Sequence, residues 1–170
     1  AELGNQLMVL DGGACPVGIE STIVDFSRQQ PVILRPGHIA PAHLAAVLGS
    51  APAIETAEGA PRVSGSLPAH YAPSTPMRML AKNEIANQRL GGTIALLVHS
   101  PDLQACAGKL PDSAFRLLPD EPVGYAHALY AAMRALDNCG ANVIVVEQTP
   151  ESPAWSAVND RLRRALAGSA

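Results

Sequence analysis

Aromatic residues are scarce in this sequence of 170 residues, at 4%, and charged residues reach only 16%. Apolar residues make up 48%, so we expect a globular protein whose core depends on Ala, Val, Leu and Ile. This balance excludes an intrinsically disordered chain. The formal net charge of -3 gives none of the basic surplus that nucleic-acid-binding proteins usually carry. Strong direct binding to nucleic acid is therefore not expected.

Cysteine and long apolar runs are also scarce. Cys15, Cys106 and Cys139 are far apart and form no CxxC pair, which argues against a disulfide framework or a zinc site and favours reduced thiols. No apolar run approaches the roughly 20 residues of a membrane helix, and the first residues do not resemble a signal peptide. We therefore expect a cytoplasmic protein with no membrane partner. Since the sequence does not begin with Met, we also expect it to be a piece of a longer chain.

Three zones differ in composition along the chain. Residues 1–49 combine short strand-like runs with an alanine-rich helix that ends at Gly49. Residues 50–76 are dominated by Pro, Gly, Ser and Ala and show neither a strand nor a helix period, which predicts a linker or a long irregular loop. Residues 77–170 alternate between strand-like and helix-like patterns, which predicts a separate α/β domain.

The third zone contains continuous apolar runs of the kind buried in parallel sheets. The predicted strands are 93–99, 115–119 and 142–147, and the predicted helices are 124–140 and 155–168. This order predicts a three-layer domain with a mostly parallel sheet. The zone contains no P-loop, no GxGxxG motif after a strand and no GxSxG motif, so it has no catalytic signature of its own.

A hairpin is predicted in the first zone, between residues 21 and 35. A turn centred on Arg28 makes cross-strand partners of these pairs: Ser21 with Arg35, Thr22 with Leu34, and Ile23 with Ile33. Paired side chains share a face, so a hydroxyl and a guanidinium would lie together among isoleucines. A guanidinium in that setting indicates an anion site. Alternatively, Arg35 pairs with Glu20 or Asp25 at a sheet edge.

Two further segments admit a functional and a structural interpretation. His70 and Tyr71 end the second zone between prolines, and Tyr71 offers a ring that can stack on a base and a hydroxyl for a phosphate or sugar. Alternatively, Tyr71 anchors the linker onto a domain. The "RLRR" segment, residues 161–164, is either a nucleic-acid patch or the solvated face of the last helix.

The motifs "LDGGACPVGIESTIVDF", "ILRPGHI" and "HYAP" precede an α/β zone that closes with "VNDRLRRA". Their order and spacing resemble the two-domain form of YrdC-type threonylcarbamoyl-AMP synthase over nearly the whole chain. The resemblance implies that residues 1–49 are the C-terminal part of a YrdC-like α/β catalytic domain, contributing a β-hairpin and a helix. Residues 50–76 would be the linker, and residues 77–170 a Rossmann-like accessory domain. The family's Lys- and Arg-bearing nucleotide motif lies upstream of "DGG", so the isolated chain is expected to be inactive.

The resemblance also implies an activity. This family joins L-threonine, bicarbonate and ATP into threonylcarbamoyl-AMP and pyrophosphate, a nucleotidyltransferase reaction in tRNA threonylcarbamoyladenosine biosynthesis. Ser21 resembles the serine that contacts L-threonine, and Arg35 and Tyr71 resemble residues that contact ATP; Thr22 and His70 are included as their neighbours. Mg²⁺ is expected with ATP, whereas no organic cofactor, no covalent nucleophile and no strong direct tRNA binding are expected. Proteins of the same tRNA pathway are the implied partners.

A different class of function stays open on the residues alone. The absence of a catalytic signature after Met77 favours a nucleotide-sensing, tRNA-binding or partner-binding regulatory module without catalysis.

Overall fold

The computed structural model describes residues 8, 10–13, 15–19, 21–55, 63, 72–87 and 93–169. It contains a small three-stranded sheet, whose strands lie in chain order, and a four-stranded sheet, whose strands lie in the order first, fourth, second and third along the chain. The predicted α/β class is confirmed, with a small mixed sheet preceding a parallel one. No helix in the described ranges is long and apolar enough to cross a membrane.

The small sheet and one helix form what we call the hairpin module, residues 21–55. β1 (Ile23–Asp25) pairs antiparallel with β2 (Val32–Arg35), and β2 pairs parallel with β3 (Ala53–Ile54). Helix α1 (Pro41–Leu48) begins with a proline and ends, as predicted, at Gly49. Gly49 has a φ of 80°, and its N–H reaches the carbonyl of Ala45. The strand β3 thus lies inside the segment, residues 50–76, that was predicted to be a linker.

The predicted register of the hairpin is wrong. Ile23, rather than Ser21, lies opposite Arg35, and Val24 lies opposite Ile33, with an irregularity between Ile23 and Val24. The side chain of Asp25 accepts a hydrogen bond from the N–H of Ser27 at the start of the loop, and Asp25 pairs with Val32, so the turn is centred between Arg28 and Gln29 rather than on Arg28. A bulge of this kind cannot be predicted by pairing residues that are equally far from the centre of the turn.

The second sheet belongs to the C-terminal domain, residues 77–169, and all of its strands are parallel. They are β4 (Met77–Leu80), β5 (Ile94–Val98), β6 (Phe115–Leu117) and β7 (Val143–Glu147). The helices are α2 (Lys82–Asn87), α3 (Pro122–Asp137) and α4 (Ser156–Gly168), with 3₁₀ helices at Pro101–Lys109, Asp112–Ala114 and Pro153–Trp155. The sequence had not singled out β4, α2 or the 3₁₀ helices.

Alternation along the strands builds two apolar layers. Ala95 and Leu97 of β5 face the core shared with α3 and α4, whereas Leu96 and Val98 face the core shared with α2 and the first 3₁₀ helix. Successive side chains of a strand point to opposite faces, so a continuous apolar run suits a sheet covered on both sides. The three-layer arrangement predicted for this zone is confirmed.

The segment before the hairpin module packs against α3, and the module itself contacts α4. Ile19, which precedes the module, is 3% exposed and belongs to the core of the C-terminal domain. Gly18 has a φ of 83°, and a Cβ at this position would lie 2.4 Å from the carbonyl oxygen of Ala126 in α3. In α4, Arg161 Nη2 donates to the carbonyl oxygen of Pro36 at 3.3 Å. These contacts fix where the hairpin faces the second sheet.

Candidate active site: an interdomain cleft

A cleft of about 810 Å³ lies between the hairpin module and the C-terminal domain. This volume is within the range of small-molecule sites, which is roughly 300–1,000 Å³. Its polar lining comprises one hydroxyl, one phenol, one thiol and five cationic or titratable side chains: Ser21, Tyr130, Cys15, Arg35, Arg116, His127, Arg134 and Arg161. Among the described lining residues there is no carboxylate. The cleft is therefore suited to an anion.

Two of the residues predicted from the sequence meet on one wall of this cleft. Arg35 Nη2 donates a hydrogen bond to Ser21 Oγ. In the observed register Ser21 is two residues from Ile23, the partner of Arg35, so the contact is diagonal, within reach of a long side chain. Asp25, one alternative partner of Arg35, forms its ion pair with Arg28 at 3.4 Å, and Glu20 lies outside the described residues.

Thr22 faces the turn that follows β2. Its Oγ1 donates to the carbonyl oxygen of Ile39 at 3.0 Å and accepts from the Ile39 N–H at 3.1 Å. Gly37, in the same turn, lies so close that a Cβ there would be 2.3 Å from the carbonyl carbon of Ser21. The hydroxyl of Thr22 thus holds the turn beside Ser21, and its contact with a ligand stays a prediction.

Sequence reasoning missed two arginines and a histidine of the opposite wall. Arg116 lies on β6, while His127 and Arg134 lie on α3 and are exposed. His127 and Arg134 are seven residues apart, which places them two turns apart on one helix face. That spacing, together with Tyr130 between them, could have indicated a polar face on a helix that is otherwise rich in alanine.

Arg161 joins the cleft from α4, where it shares one carboxylate with Arg164. The buried Asp160 accepts hydrogen bonds from Arg161 and from Arg164, the latter through two contacts of 2.9 Å. Two guanidiniums on one carboxylate leave one positive charge in excess. Arg161 of the "RLRR" segment thus lines the cleft and contacts Pro36, and binding of nucleic acid by the segment stays a prediction.

The end of the predicted linker is attached to α3 next to the cleft. The carboxylate of Asp137 accepts hydrogen bonds from the N–H groups of Thr75, at 2.8 Å, and Ser74, at 3.1 Å. Ala72 and Pro73 line a smaller cavity of about 200 Å³, which shares Tyr130 and Arg134 with the cleft. The chain therefore enters the C-terminal domain at the cleft. Tyr71 and His70 lie outside the described residues, and their predicted roles stay predictions.

Asp137→Asn is expected to loosen this attachment. Burial acts to raise the pKa of Asp137, but the hydrogen bonds from Thr75 and Ser74 outweigh it and hold the pKa below its usual range. A lowered pKa stabilises the folded protein above the unfolded-state value of about 3.9, and that stabilisation is lost as the pH falls through the folded-state pKa. Thermal melting should show the variant less stable than wild type at pH 7, with the gap closing below about pH 4.

The exposed Asp120 provides the matched control for this substitution. Asp120→Asn should melt as wild type does across the same pH range. A gap for Asp137→Asn that did not depend on pH would show that its carboxylate does not act through its charge.

The C-terminal domain has a topological switch point between β5 and β7, but a side chain fills it. After β5 the chain runs towards β6, and after β7 helix α4 packs on β4, so the crevice where α/β sheets bind ligands lies between the two strand ends. Glu147, 1% exposed, fills it and accepts hydrogen bonds from the N–H groups of His99, at 2.7 Å, and Ser100, at 2.9 Å. This arrangement gives no support to nucleotide sensing at that crevice. Among the described residues, no cluster of three metal-ligating side chains occurs.

The chain resembles known proteins in both sequence and structure. A family model described as "Threonylcarbamoyl-AMP synthase, C-terminal domain" matches residues 39–167. Threonylcarbamoyl-AMP synthase of Bacillus subtilis (strain 168) is 27% identical over 170 residues, covering 94% of this chain and 49% of that protein. The protein of the same name from Pyrococcus abyssi (strain GE5 / Orsay) is 28% identical over 168 residues, covering 92% of this chain and 48% of that protein.

A solved structure has the same fold. The crystal structure of P. abyssi Sua5 complexed with L-threonine aligns with a TM-score of 0.71 and 26% identity, covering 94% of this chain and 49% of that one. The chain therefore spans about half the length of the relatives that it matches.

Proposed function

Since this chain belongs to the family of threonylcarbamoyl-AMP synthase C-terminal domains, we propose that it forms the C-terminal half of such an enzyme. The enzyme would be a cytoplasmic nucleotidyltransferase that acts in tRNA threonylcarbamoyladenosine synthesis. The observation that carries the proposal is the Arg35–Ser21 hydrogen bond on the wall of a cationic cleft. Those are the two residues that the family resemblance marks for ATP and L-threonine.

The proposed reaction has two parts. The amino group of L-threonine and bicarbonate give a carbamate with loss of water. A carbamate oxygen then attacks the α-phosphorus of ATP, a P–O bond forms, and the bond to the β-phosphate breaks and releases pyrophosphate. The product, threonylcarbamoyl-AMP, is a mixed anhydride that other proteins of the pathway would pass on to tRNA.

The residues in the cleft fit a reaction that depends on positioning and charge neutralisation. A carbamate and a triphosphate both carry negative charge, and bringing them together costs energy that fixed cations offset. Ser21 would donate or accept a hydrogen bond at the threonine, and Arg35 beside it would face the nucleotide phosphates. Neither residue needs to form a covalent intermediate, because orientation alone can contribute most of the required acceleration.

Mg²⁺ would be expected to accompany ATP in this reaction. Mg²⁺ prefers carboxylate, phosphate and water oxygens. The described lining of the cleft contains no carboxylate, so these residues do not fit a Mg²⁺ held by this chain. The ion would have to be held by the phosphates of ATP.

The exposed surface of the hairpin module supports the proposal that the module belongs to a larger catalytic domain. No residue of α1 is buried, and Phe26, Ile39 and Val47 are large apolar side chains that are 61%, 48% and 85% exposed. Large exposed apolar side chains are typical of a surface that a partner covers. We propose that the remaining part of a YrdC-like domain covers it, and that the isolated 170 residues are inactive for this reason.

Arg35→Ala in the full-length protein tests the proposed function. It should raise the dissociation constant of ATP by about 10- to 100-fold, because a charge-assisted contact to phosphate is lost. The dissociation constant of L-threonine should change by less than about threefold, since the contact with the amino acid is assigned to Ser21. Calorimetric titrations with ATP and with L-threonine measure the two constants separately.

Ser21→Ala is the reciprocal variant in the same titrations. It should weaken L-threonine binding more than ATP binding, and pyrophosphate release from ATP should require both L-threonine and bicarbonate. Equal losses of both ligands in Arg35→Ala, or tRNA binding without ATP binding, would contradict the proposal and favour the regulatory module.

A further inference from the structure

The cleft is charged from both sides, and its second wall has no assigned role. Arg116 of β6 and Arg134 of α3 belong to the C-terminal domain, opposite the Ser21–Arg35 wall. The domain thus brings cations to the cleft although its own switch point is filled by Glu147.

The charge of Arg134 is not neutralised within the described chain. Its side chain is exposed and lines the cleft, and among the described residues its guanidinium has neither a hydrogen-bond partner nor an ion pair. An arginine that supported only the fold would be expected to pair with a carboxylate or to cap a helix end. Arg134 lies in the last turn of α3. There the side-chain amide of Asn138 donates a hydrogen bond to the backbone carbonyl oxygen of Arg134 at 2.7 Å, so this carbonyl does not need a side-chain cap from an arginine.

Arg116 is oriented without losing its charge. Its Nη1 donates to the carbonyl oxygens of Asp112, at 2.9 Å, and Phe115, at 2.6 Å. Carbonyl acceptors hold a guanidinium in place but do not cancel its charge, and the other donors of the planar group stay available. The side chain is partly buried, so its field in the cleft is screened less than at an open surface.

The shape of the site indicates which anion it binds. Several positive charges converge on one concavity of about 810 Å³, and the described lining offers no carboxylate. A compact anion with two or three linked phosphates can contact guanidiniums on both walls at once. An RNA strand instead requires an extended basic groove with aromatic platforms, whereas the chain is acidic overall and Tyr130 is the single described aromatic residue in the cleft.

We propose that Arg116 and Arg134 of the C-terminal domain bind a polyphosphate in the cleft, either the β- and γ-phosphates of ATP or the pyrophosphate that leaves. This inference rests on the proposed function for the identity of the nucleotide. It gives the C-terminal domain a direct part in substrate binding or product retention. Arg134 and Arg116 would neutralise charge that develops on the leaving pyrophosphate, on the side away from Arg35.

The test is a set of calorimetric titrations of the full-length protein with inorganic pyrophosphate, ATP and AMP. Arg134→Gln and Arg116→Gln should each raise the dissociation constant of pyrophosphate or ATP by about tenfold or more, as expected for loss of a charged contact. AMP lacks the β- and γ-phosphates, so its affinity should stay within about twofold. Arg134→Lys should restore part of the loss, because it retains the charge but not the fork.

Arg78→Gln is the matched control, since Arg78 is an exposed arginine of β4 outside the cleft. It should bind all three ligands as wild type does. A loss for ATP alone would assign the site to the bound nucleotide, and a loss for pyrophosphate as well would extend it to the product.

Three outcomes would overturn the inference: unchanged affinities in Arg134→Gln, an equal loss for AMP, or, in a fourth titration with tRNA, a loss confined to tRNA. The inference and the proposed function fail separately. If Arg134→Gln leaves the affinities for pyrophosphate and ATP unchanged while Arg35→Ala and Ser21→Ala behave as expected, only the inference is wrong. If Arg134→Gln weakens pyrophosphate binding while Ser21→Ala does not affect L-threonine, only the proposed function falls.

Discussion

Gly18→Ala is expected to lower the free energy of unfolding by roughly 2–5 kcal/mol, because it combines left-handed backbone strain with a steric clash. The φ of Gly18 is 83°, and an added Cβ would lie 2.4 Å from the carbonyl oxygen of Ala126 and 2.6 Å from the Cα of His127. Both contacts are backbone atoms in the middle of α3, which cannot yield as a flexible side chain would. The substitution would push the chain before Ser21 away from α3 and open the cleft. Urea denaturation measures the loss.

Gly140→Ala measures the cost of left-handed backbone strain in the absence of a steric clash. Gly140 has a φ of 82°, almost the same as that of Gly18, but a Cβ there would meet nothing within 4 Å. It should therefore cost only the backbone term, about 1–2 kcal/mol. Equal losses for the two variants would mean that the close approach between Gly18 and α3 does not hold the hairpin module against the C-terminal domain.

Glu147→Ala is expected to destabilise the protein by about 3–5 kcal/mol, because it leaves several buried donors without an acceptor. The carboxylate accepts hydrogen bonds from the N–H groups of His99 and Ser100 and from the hydroxyl of Ser100. It lies in contact with the buried cluster of His99, Tyr125 and Trp155, and burial, together with the negative charge of Glu147, raises the pKa of Tyr125. Thermal and urea unfolding at neutral pH give the free-energy difference.

Glu151→Ala is the control for this substitution, since Glu151 is an exposed carboxylate four residues further along the chain. It should change stability by no more than about 0.5 kcal/mol. If Glu147→Ala were as mild as Glu151→Ala, water would have to satisfy the freed donors, and the switch point would be open to solvent. A gain of nucleotide binding by Glu147→Ala would show that the side chain alone closes that crevice.

The predictions that succeeded depend on signals that neighbouring residues carry together. The runs at 93–99 and 142–147 are apolar on both faces. A strand of this kind is stable only in a sheet that helices cover on both sides. Gly49 ends α1 because a left-handed residue is required there. The helices α3 and α4 were predicted from their apolar period, and α4 ends at Gly168 as expected, whereas α3 ends at Asp137, before the end predicted at Gly140.

The hairpin shows what signals from neighbouring residues cannot predict, namely the register of two paired strands. The pairing of Ser21 with Arg35 was expected from equal arms around Arg28, but the Asp25 turn and the irregularity after Ile23 shift the register. The two side chains still meet, because residues two apart share a face of a strand and an arginine is long enough for a diagonal contact. The contact was predicted correctly from a register that was wrong.

The sequence by itself determined the α/β class, the strands and helices with strong periods, and the residues by which the family is identified. The class and these elements follow from patterns among residues close together in the chain, whereas the family is identified by the resemblance of its motifs. The tertiary structure alone decided that Arg116, Arg134 and Arg161 face Ser21 and Arg35 across one cleft, and that Glu147 fills the switch point. Those residues are up to about 140 positions apart along the printed sequence, and no local period relates them. The packing of Gly18 on α3, the burial of Ile19 and the contact of Arg161 with Pro36 set the two walls opposite each other, because burial of apolar surface and steric fit, not sequence distance, fix how the two parts dock.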